Sequence, residues 1–151
     1  MKLDDQAFHQ LLRAIPLLAV DGVLIKNQQV LLLRRRDDPF RGSWVLPGGF
    51  LKYGESLEEG VAREFREETK LLVRVRSMVN IYSHPHRDPR GHVVAAAYLC
   101  DPLMVGDLSF QIEQNESLGL FPVDGLPSNI GFDHAKMIVD AVKLKEILER
   151  K

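Results

Sequence analysis

The chain has 151 residues, with 20 Lys and Arg against 21 Asp and Glu, and is 45% hydrophobic and 27% charged. That length suits one compact domain over residues 1–151, and the composition excludes a disordered tail protein. A net charge of -1 excludes the overall basic surface of a nucleic-acid binder, so any polyanion site has to be local.

The single cysteine, Cys100, allows no intrachain disulfide and no multi-cysteine metal site, and reads as a small buried hydrophobe. The longest apolar stretches, residues 14–20 and 93–100, are far too short to span a bilayer. The N-terminus lacks a basic segment followed by a long apolar run, so the expectation is a soluble, cytoplasmic protein with no membrane partner.

In chain order, residues 1–14 carry Phe8, Leu11 and Leu12 among polar residues, which suits a short amphipathic helix or a packed arm. Residues 17–25 and 30–33 are apolar and flank Lys26-Asn27-Gln28, a strand pair joined by a hairpin. Residues 34–42 form a charged loop, and Pro47-Gly48-Gly49 breaks regular structure after a short strand. Ser56 followed by Glu59 is a capping box, and Leu57, Val61 and Phe65 share one face of a helix running to about Thr69. Residues 71–82 and 92–99 read as strands around a His/Pro/Arg/Asp/Gly loop, and 118–123 as a further strand. Phe132 or Asp133 opens a last helix with Ile138, Val142 and Ile147 in an apolar stripe. Strands and helices interleave without repeats, which predicts a layered α/β or α+β domain.

The chemistry concentrates in the central helix. Glu64, Glu67 and Glu68 stand at i, i+3 and i+4, so three carboxylates share about a third of the helix circumference. Each like-charge pair costs a few tenths of a kcal/mol on an exposed helix, and a solvated acidic face is the bland explanation for them. Gly48-Gly49 ahead of the helix, with Glu55 and Arg63 flanking the cluster, shifts the balance. Hard oxygen donors on a rigid scaffold suit Mg²⁺ or Mn²⁺, which keep open positions for substrate phosphates.

The run from Gly49 through Glu55 and Arg63-Glu64-Phe65-Arg66-Glu67-Glu68 to Leu71 resembles the Nudix hydrolase box, Gx5Ex7REUxEExGU with U apolar. Only the final Gly departs, being Lys70 here. Since that Gly ends the helix in a left-handed conformation, copying it would cost a lysine about 1–2 kcal/mol, and a slightly different helix exit is expected. The resemblance implies an α/β/α sandwich with a mixed central sheet and a loop-helix-loop motif. It implies that Glu64, Glu67 and Glu68, with a carbonyl of the Gly48-Gly49 pair (Gly49 first), ligate the divalent ion. Arg63 would orient the glutamates and Glu55 would hold the loop-helix-loop. The water's proton would pass to Glu64, or to Glu113 or Glu116 on a later loop.

Residues 39–49, 82–92 and 132–136 resemble the ADP-ribose pyrophosphatase branch, which implies cleavage of ADP-ribose to AMP and ribose 5-phosphate. Other nucleotide sugars, oxidised nucleoside triphosphates, or binding of ADP-ribose without cleavage are the alternatives. A homodimer is compatible with the resemblance. Arg87 and Arg90 have planar forks that suit phosphate or ribose oxygens, against an alternative in which Arg-Asp pairs merely hold the loop. Arg34, Arg35 and Arg36 would alternate sides on an extended strand, so only some of them face a site; Arg34, Arg36 and Arg41 are the candidates, together with the backbone at Gly48 and Gly49. Phe40 and Trp44 read as loop anchors, His84 and His86 as surface or hydrogen-bonded residues, and His134 as structural.

Overall fold

The structure, a computed structural model, describes residues 2–103 and 106–150. Helix α1 (Asp5–Ala14) is capped by Asp4, whose carboxylate accepts from the Ala7 N–H at 2.7 Å; it buries Leu12, and its Phe8 ring packs edge-on against Phe50. Strands β1 (Leu17–Lys26) and β2 (Gln29–Arg34) form the expected hairpin. Asn27 and Gln28 both take positive φ, 52° and 62°, the mirror-image turn whose twist matches the flanking strands. Short β3 (Trp44–Val45) and β4 (Gly48–Phe50) follow, then α2 (Leu57–Thr69), β5 (Val73–Tyr82), β6 (Val93–Pro102), α3 (Leu108–Glu113), β7 (Leu118–Pro122) and α4 (His134–Glu149).

The seven strands form one mixed sheet in the order β3-β2-β1-β6-β5, with β4 on β1 and β7 on β2. The β1–β6 pair is parallel and the other strand pairs are antiparallel. Alternation along the central strands divides the core into two layers. Val20, Leu24, Leu31, Ala96, Tyr98 and Cys100 face Val61 and Phe65 of α2 and Leu108 and Ile112 of α3. Val23, Ile25, Val30, Leu32, Ala95, Ala97 and Leu99 face Met137, Ile138 and Ala141 of α4. Helices on both sides explain why β1 and β6 are apolar almost without interruption, since neither face meets water. The architecture is therefore the α/β/α sandwich that was expected. Burial also pushes the Cys100 thiol up to about 12, consistent with a packed hydrophobe.

Gly22 is where α2 comes nearest the sheet: a Cβ there would stand 2.2 Å from Cε2 of Phe65. Gly22→Ala is accordingly expected to destabilise the protein by about 1–3 kcal/mol through overpacking, read as a lower midpoint in thermal unfolding with the substrate site unaltered. Among the described residues, no helix is long and apolar enough to cross a membrane.

Several expectations need correction. Gly48-Gly49 does not interrupt the sheet; the pair belongs to β4, set antiparallel to Ala19–Asp21, because the bare Gly48 lets the chain lie close against β1 while the bare Gly49 leaves room for Glu64 of α2. Helix α3 was not anticipated: six residues are too few to display a helical period, although Asp107 caps it by accepting from the Ser109 N–H. Ile147 is 63% exposed, and Leu148 packs in its place. Strand β5 starts at Val73, two residues later than expected, and β6 runs on to Pro102.

The exit of α2 is also a correction. Lys70 itself adopts the left-handed conformation, φ 63° and ψ 8°, and its N–H donates to the Arg66 carbonyl. The neighbouring Thr69 is buried, donates to the Phe65 carbonyl at 2.6 Å and accepts from the Leu71 N–H at 3.1 Å. Those bonds hold the turn, and Lys70 bears a conformation that glycine would adopt without the roughly 1–2 kcal/mol penalty of a Cβ.

Candidate active site

The site is assembled where β4 passes beneath α2. Ser56 caps α2 by accepting from the Glu59 N–H, and Glu59 returns the bond to the Ser56 N–H, so the helix start is set locally. From that start Arg63 is carried to the centre of the motif. Its five N–H groups meet five acceptors: Glu55 twice (2.6 and 2.8 Å), Glu64 (2.7 Å), Glu67 (3.2 Å) and the Phe50 carbonyl (3.2 Å). Glu55 also accepts from the Lys52 N–H, closing the turn before the helix. The Arg63 hydrogen bonds, aided by that N–H, hold the Glu55 carboxyl down at about 2.

Glu64 lies directly under the glycine turn, where a Cβ on Gly49 would stand 2.6 Å from its Oε1. Glu68 reaches the other glycine, accepting from the Gly48 N–H at 3.0 Å. Burial, reinforced by the adjoining Glu64 carboxyl, pushes Glu68 up to about 8. Glu67 is half-exposed and lies between Arg63 and Lys52. Among the described residues, no three His, Cys, Asp or Glu side chains are already grouped as a metal would require. The donor set nevertheless fits a hard divalent cation: the Glu64 and Glu68 carboxyls adjoin each other beside the bare backbone of Gly48 and Gly49.

Gly48, Gly49, Glu67 and Glu68 border a cavity of about 500 Å³, while Glu55, Arg63 and Glu64 stand behind that lining. Its lining combines carboxylates (Asp21, Asp37, Glu67, Glu68 and Asp88) with the arginines Arg34, Arg35, Arg36, Arg87 and Arg90, around the bare backbone of Gly48 and Gly49. Arg87 forms a two-pronged bond to Asp133 (2.9 and 2.6 Å) and reaches the Val93 carbonyl. Arg90 grips the buried Asp88 in the same way (3.0 and 2.7 Å), with its guanidinium over the rings of Phe50 and Phe132. One Arg-Asp pair thus lies within the loop and the other ties it to the start of α4, and both arginines still line the cavity. Arg34 lies over Trp44, while Arg36 donates to the Ser117 hydroxyl at 3.1 Å.

Arg35 went unrecognised because strand alternation was extended across all three arginines. Strand β2 ends at Arg34, so alternation does not apply beyond it, and all three line the cavity. Arg41 does not: it points to solvent and pairs with Asp38 at 3.6 Å across an i,i+3 turn. Glu113 and Glu116 are exposed and lie outside the cavity wall, which is reached instead by Asn115 and Ser117. Phe40 packs on Phe132 and Trp44 on Phe121, as loop anchors. His84 and His86 are exposed in the loop between β5 and β6.

Two further groups at the cavity were missed as a pair. His134 is buried, and its Nδ1 accepts from the Leu46 N–H at 3.0 Å, which places the ring proton on Nε2, 3.5 Å from Asp21 Oδ1. Burial keeps the imidazole neutral, down at about 3, and pushes the Asp21 carboxyl up to about 7. A single acidic residue inside the apolar run 17–25 was the available signal for Asp21.

A family model described as the NUDIX domain matches residues 16–141. The chain belongs to the Nudix hydrolase family. A Nudix relative called ADP-ribose pyrophosphatase, from Methanocaldococcus jannaschii, is 42% identical over 130 residues, spanning 86% of this chain and 75% of that protein. A MutT/nudix family protein from Enterococcus faecalis superposes with a TM-score of 0.69 at 26% identity, covering 100% of this chain and 78% of the other. NrtR from Shewanella oneidensis, in a structure with a 27mer DNA, superposes with a TM-score of 0.66 at 30% identity, covering 85% of this chain and 62% of NrtR. Gly49 to Leu71, the stretch that resembles the Nudix box, lies within the matched residues.

Proposed function

We propose that this Nudix protein is a divalent-metal-dependent hydrolase of nucleoside diphosphate derivatives, with ADP-ribose as the preferred substrate. The observation that carries the reading is one cavity lined both by helix carboxylates, Glu67 and Glu68, and by five arginines, which suits a metal held by the former and diphosphate oxygens taken by the latter. The name of the 42%-identical relative supports ADP-ribose as the first substrate to test.

Glu64, Glu67 and Glu68, with the Gly49 carbonyl, would hold Mg²⁺ or Mn²⁺. Bound there, the cation supplies charge neutralisation for the diphosphate and a lowered pKa for a coordinated water. Arg63 and Glu55 act as positioning residues, fixing the carboxylates before substrate arrives. Water attacks one phosphorus, the bridging P–O bond breaks, and AMP and ribose 5-phosphate leave. The proton of the attacking water passes to Glu64, with Glu116, on the α3–β7 loop, and Glu113, at the end of α3, as the alternatives. Arg87 and Arg90, with Arg34 and Arg36, take phosphate and ribose oxygens.

The test is purified protein with Mg²⁺ or Mn²⁺, a panel of nucleotide sugars and nucleoside triphosphates, and identification of products beside Glu67→Gln/Glu68→Gln. Metal-dependent AMP release from ADP-ribose that the double variant lacks is the expected result. Tight binding of ADP-ribose without turnover would make the protein a sensor, and preference for triphosphates would move it to another Nudix branch.

A further inference from the structure

We propose that Lys70 is a substrate-binding residue whose ammonium, together with the Arg36 guanidinium, takes a phosphoryl oxygen of the diphosphate at the rim of the cavity beside Glu67. The assignment rests on the diphosphatase reading and adds a contact that the Nudix box does not contain, since the box has glycine at this position.

Three observations converge on it. The Lys70 backbone is left-handed, at φ 63°, a conformation in which a residue with a Cβ is disfavoured and glycine is not. The bonds that close the turn run through backbone groups and the Thr69 hydroxyl, and the Lys70 ammonium adds a single longer one to the Glu67 carbonyl. The side chain nonetheless lines the cavity, together with Arg36, Asn115 and Ser117.

The electrostatics point the same way. The Lys70 ammonium has three donors and gives one, at 3.3 Å, to the Glu67 carbonyl. Arg36 gives one to the Ser117 hydroxyl. Neither cation enters an ion pair among the described residues, whereas the nearby Glu67 carboxylate is shared by Lys52 and Arg63. Two cations without ion-pair partners in the lining of a cavity suit an anion that arrives from outside. A conformational cost retained at a cavity-lining residue is compatible with a functional residue held against stability.

The experiment compares wild type with Lys70→Gly, Lys70→Met and Lys70→Arg. Lys70→Gly should raise the thermal midpoint by about 2–4 °C, because the strained turn relaxes. It should also raise KM for ADP-ribose about threefold to tenfold, with kcat within about twofold. Lys70→Met should match that KM without the gain in midpoint, and Lys70→Arg should restore KM. Calorimetric binding of inorganic pyrophosphate with Mg²⁺ should weaken in the same order in the four proteins, so the contact is read even if ADP-ribose is not hydrolysed. Failure of wild-type turnover with pyrophosphate binding still dependent on Lys70 would count against the enzymatic reading alone. A more stable Lys70→Gly with unaltered KM and pyrophosphate affinity, or a Lys70→Arg as weak as Lys70→Gly, would overturn the proposal.

Discussion

Glu68→Gln is expected to reduce metal-dependent diphosphate hydrolysis by about 10²–10⁴-fold, the range in which a bound cation contributes to charge stabilisation. The fold should survive the change. Glu68 retains its proton in the metal-free protein up to about pH 8, so the amide replaces a group of nearly the same shape and charge, and its carbonyl can still accept from the Gly48 N–H. The pH dependence separates the two roles. The Glu68 pKa is raised on folding from 4.5 to about 8, so the native state binds the extra proton in that window. Its contribution to stability is therefore complete below pH 4.5 and is lost as pH rises through about 8. Asp21 acts in the same direction and His134 in the opposite one, its stability being lost as pH falls below 6.5. Denaturant unfolding of the chelator-treated protein from pH 5 to 8 should thus show a shallower decline in Glu68→Gln than in wild type.

The second large effect is on stability. Arg63→Ala is expected to cost about 3–5 kcal/mol, the range for removing one partner of a buried ion pair. The side chains of Arg63, Glu55 and Glu64 are only 11%, 14% and 13% exposed, so water cannot take over the two carboxylates left behind. Lysine is not an adequate substitute. A compact ammonium can serve one or two of the five acceptors, and it lacks the fork that grips both Glu55 oxygens. Arg63→Lys should recover only part of the loss in denaturant unfolding. The Glu55 carboxyl should also rise from about 2 toward its ordinary value in Arg63→Ala, a shift that carboxyl-resolved NMR titration can read.

The helices and strands that contribute whole periods to the core were legible from sequence. Leu57, Val61 and Phe65 repeat at helical spacing, β1 and β6 are long apolar runs, and Ser56 with Glu59 marks the start of α2 by a local bond that needs no tertiary partner. The glutamates and Arg63 were legible for the same reason: helical geometry alone brings them together. What escaped was whatever depends on how separated segments meet. That β4 is a strand follows from its fit against β1 and not from its own residues, which are turn formers. Asp21 and His134 are 113 positions apart and acquire their meaning from the Leu46 N–H between the elements that carry them. Arg35 was misjudged because the end of β2 is set by pairing with β3 and β7, and Arg41 because the turn that pairs it with Asp38 in solvent has no periodic signal.

The central claim is that the carboxylates of one helix and the Gly48-Gly49 backbone of β4 capture a divalent cation beside a diphosphate. Electron paramagnetic resonance of Mn²⁺ titrated into the protein, with a non-hydrolysable ADP-ribose analogue present, tests it most directly. Loss of the free Mn²⁺ signal into a site that Glu68→Gln and Glu64→Gln abolish is the predicted result. Wild-type protein that takes up no Mn²⁺ even with the analogue bound, or variants that take it up as tightly as wild type, would contradict the account.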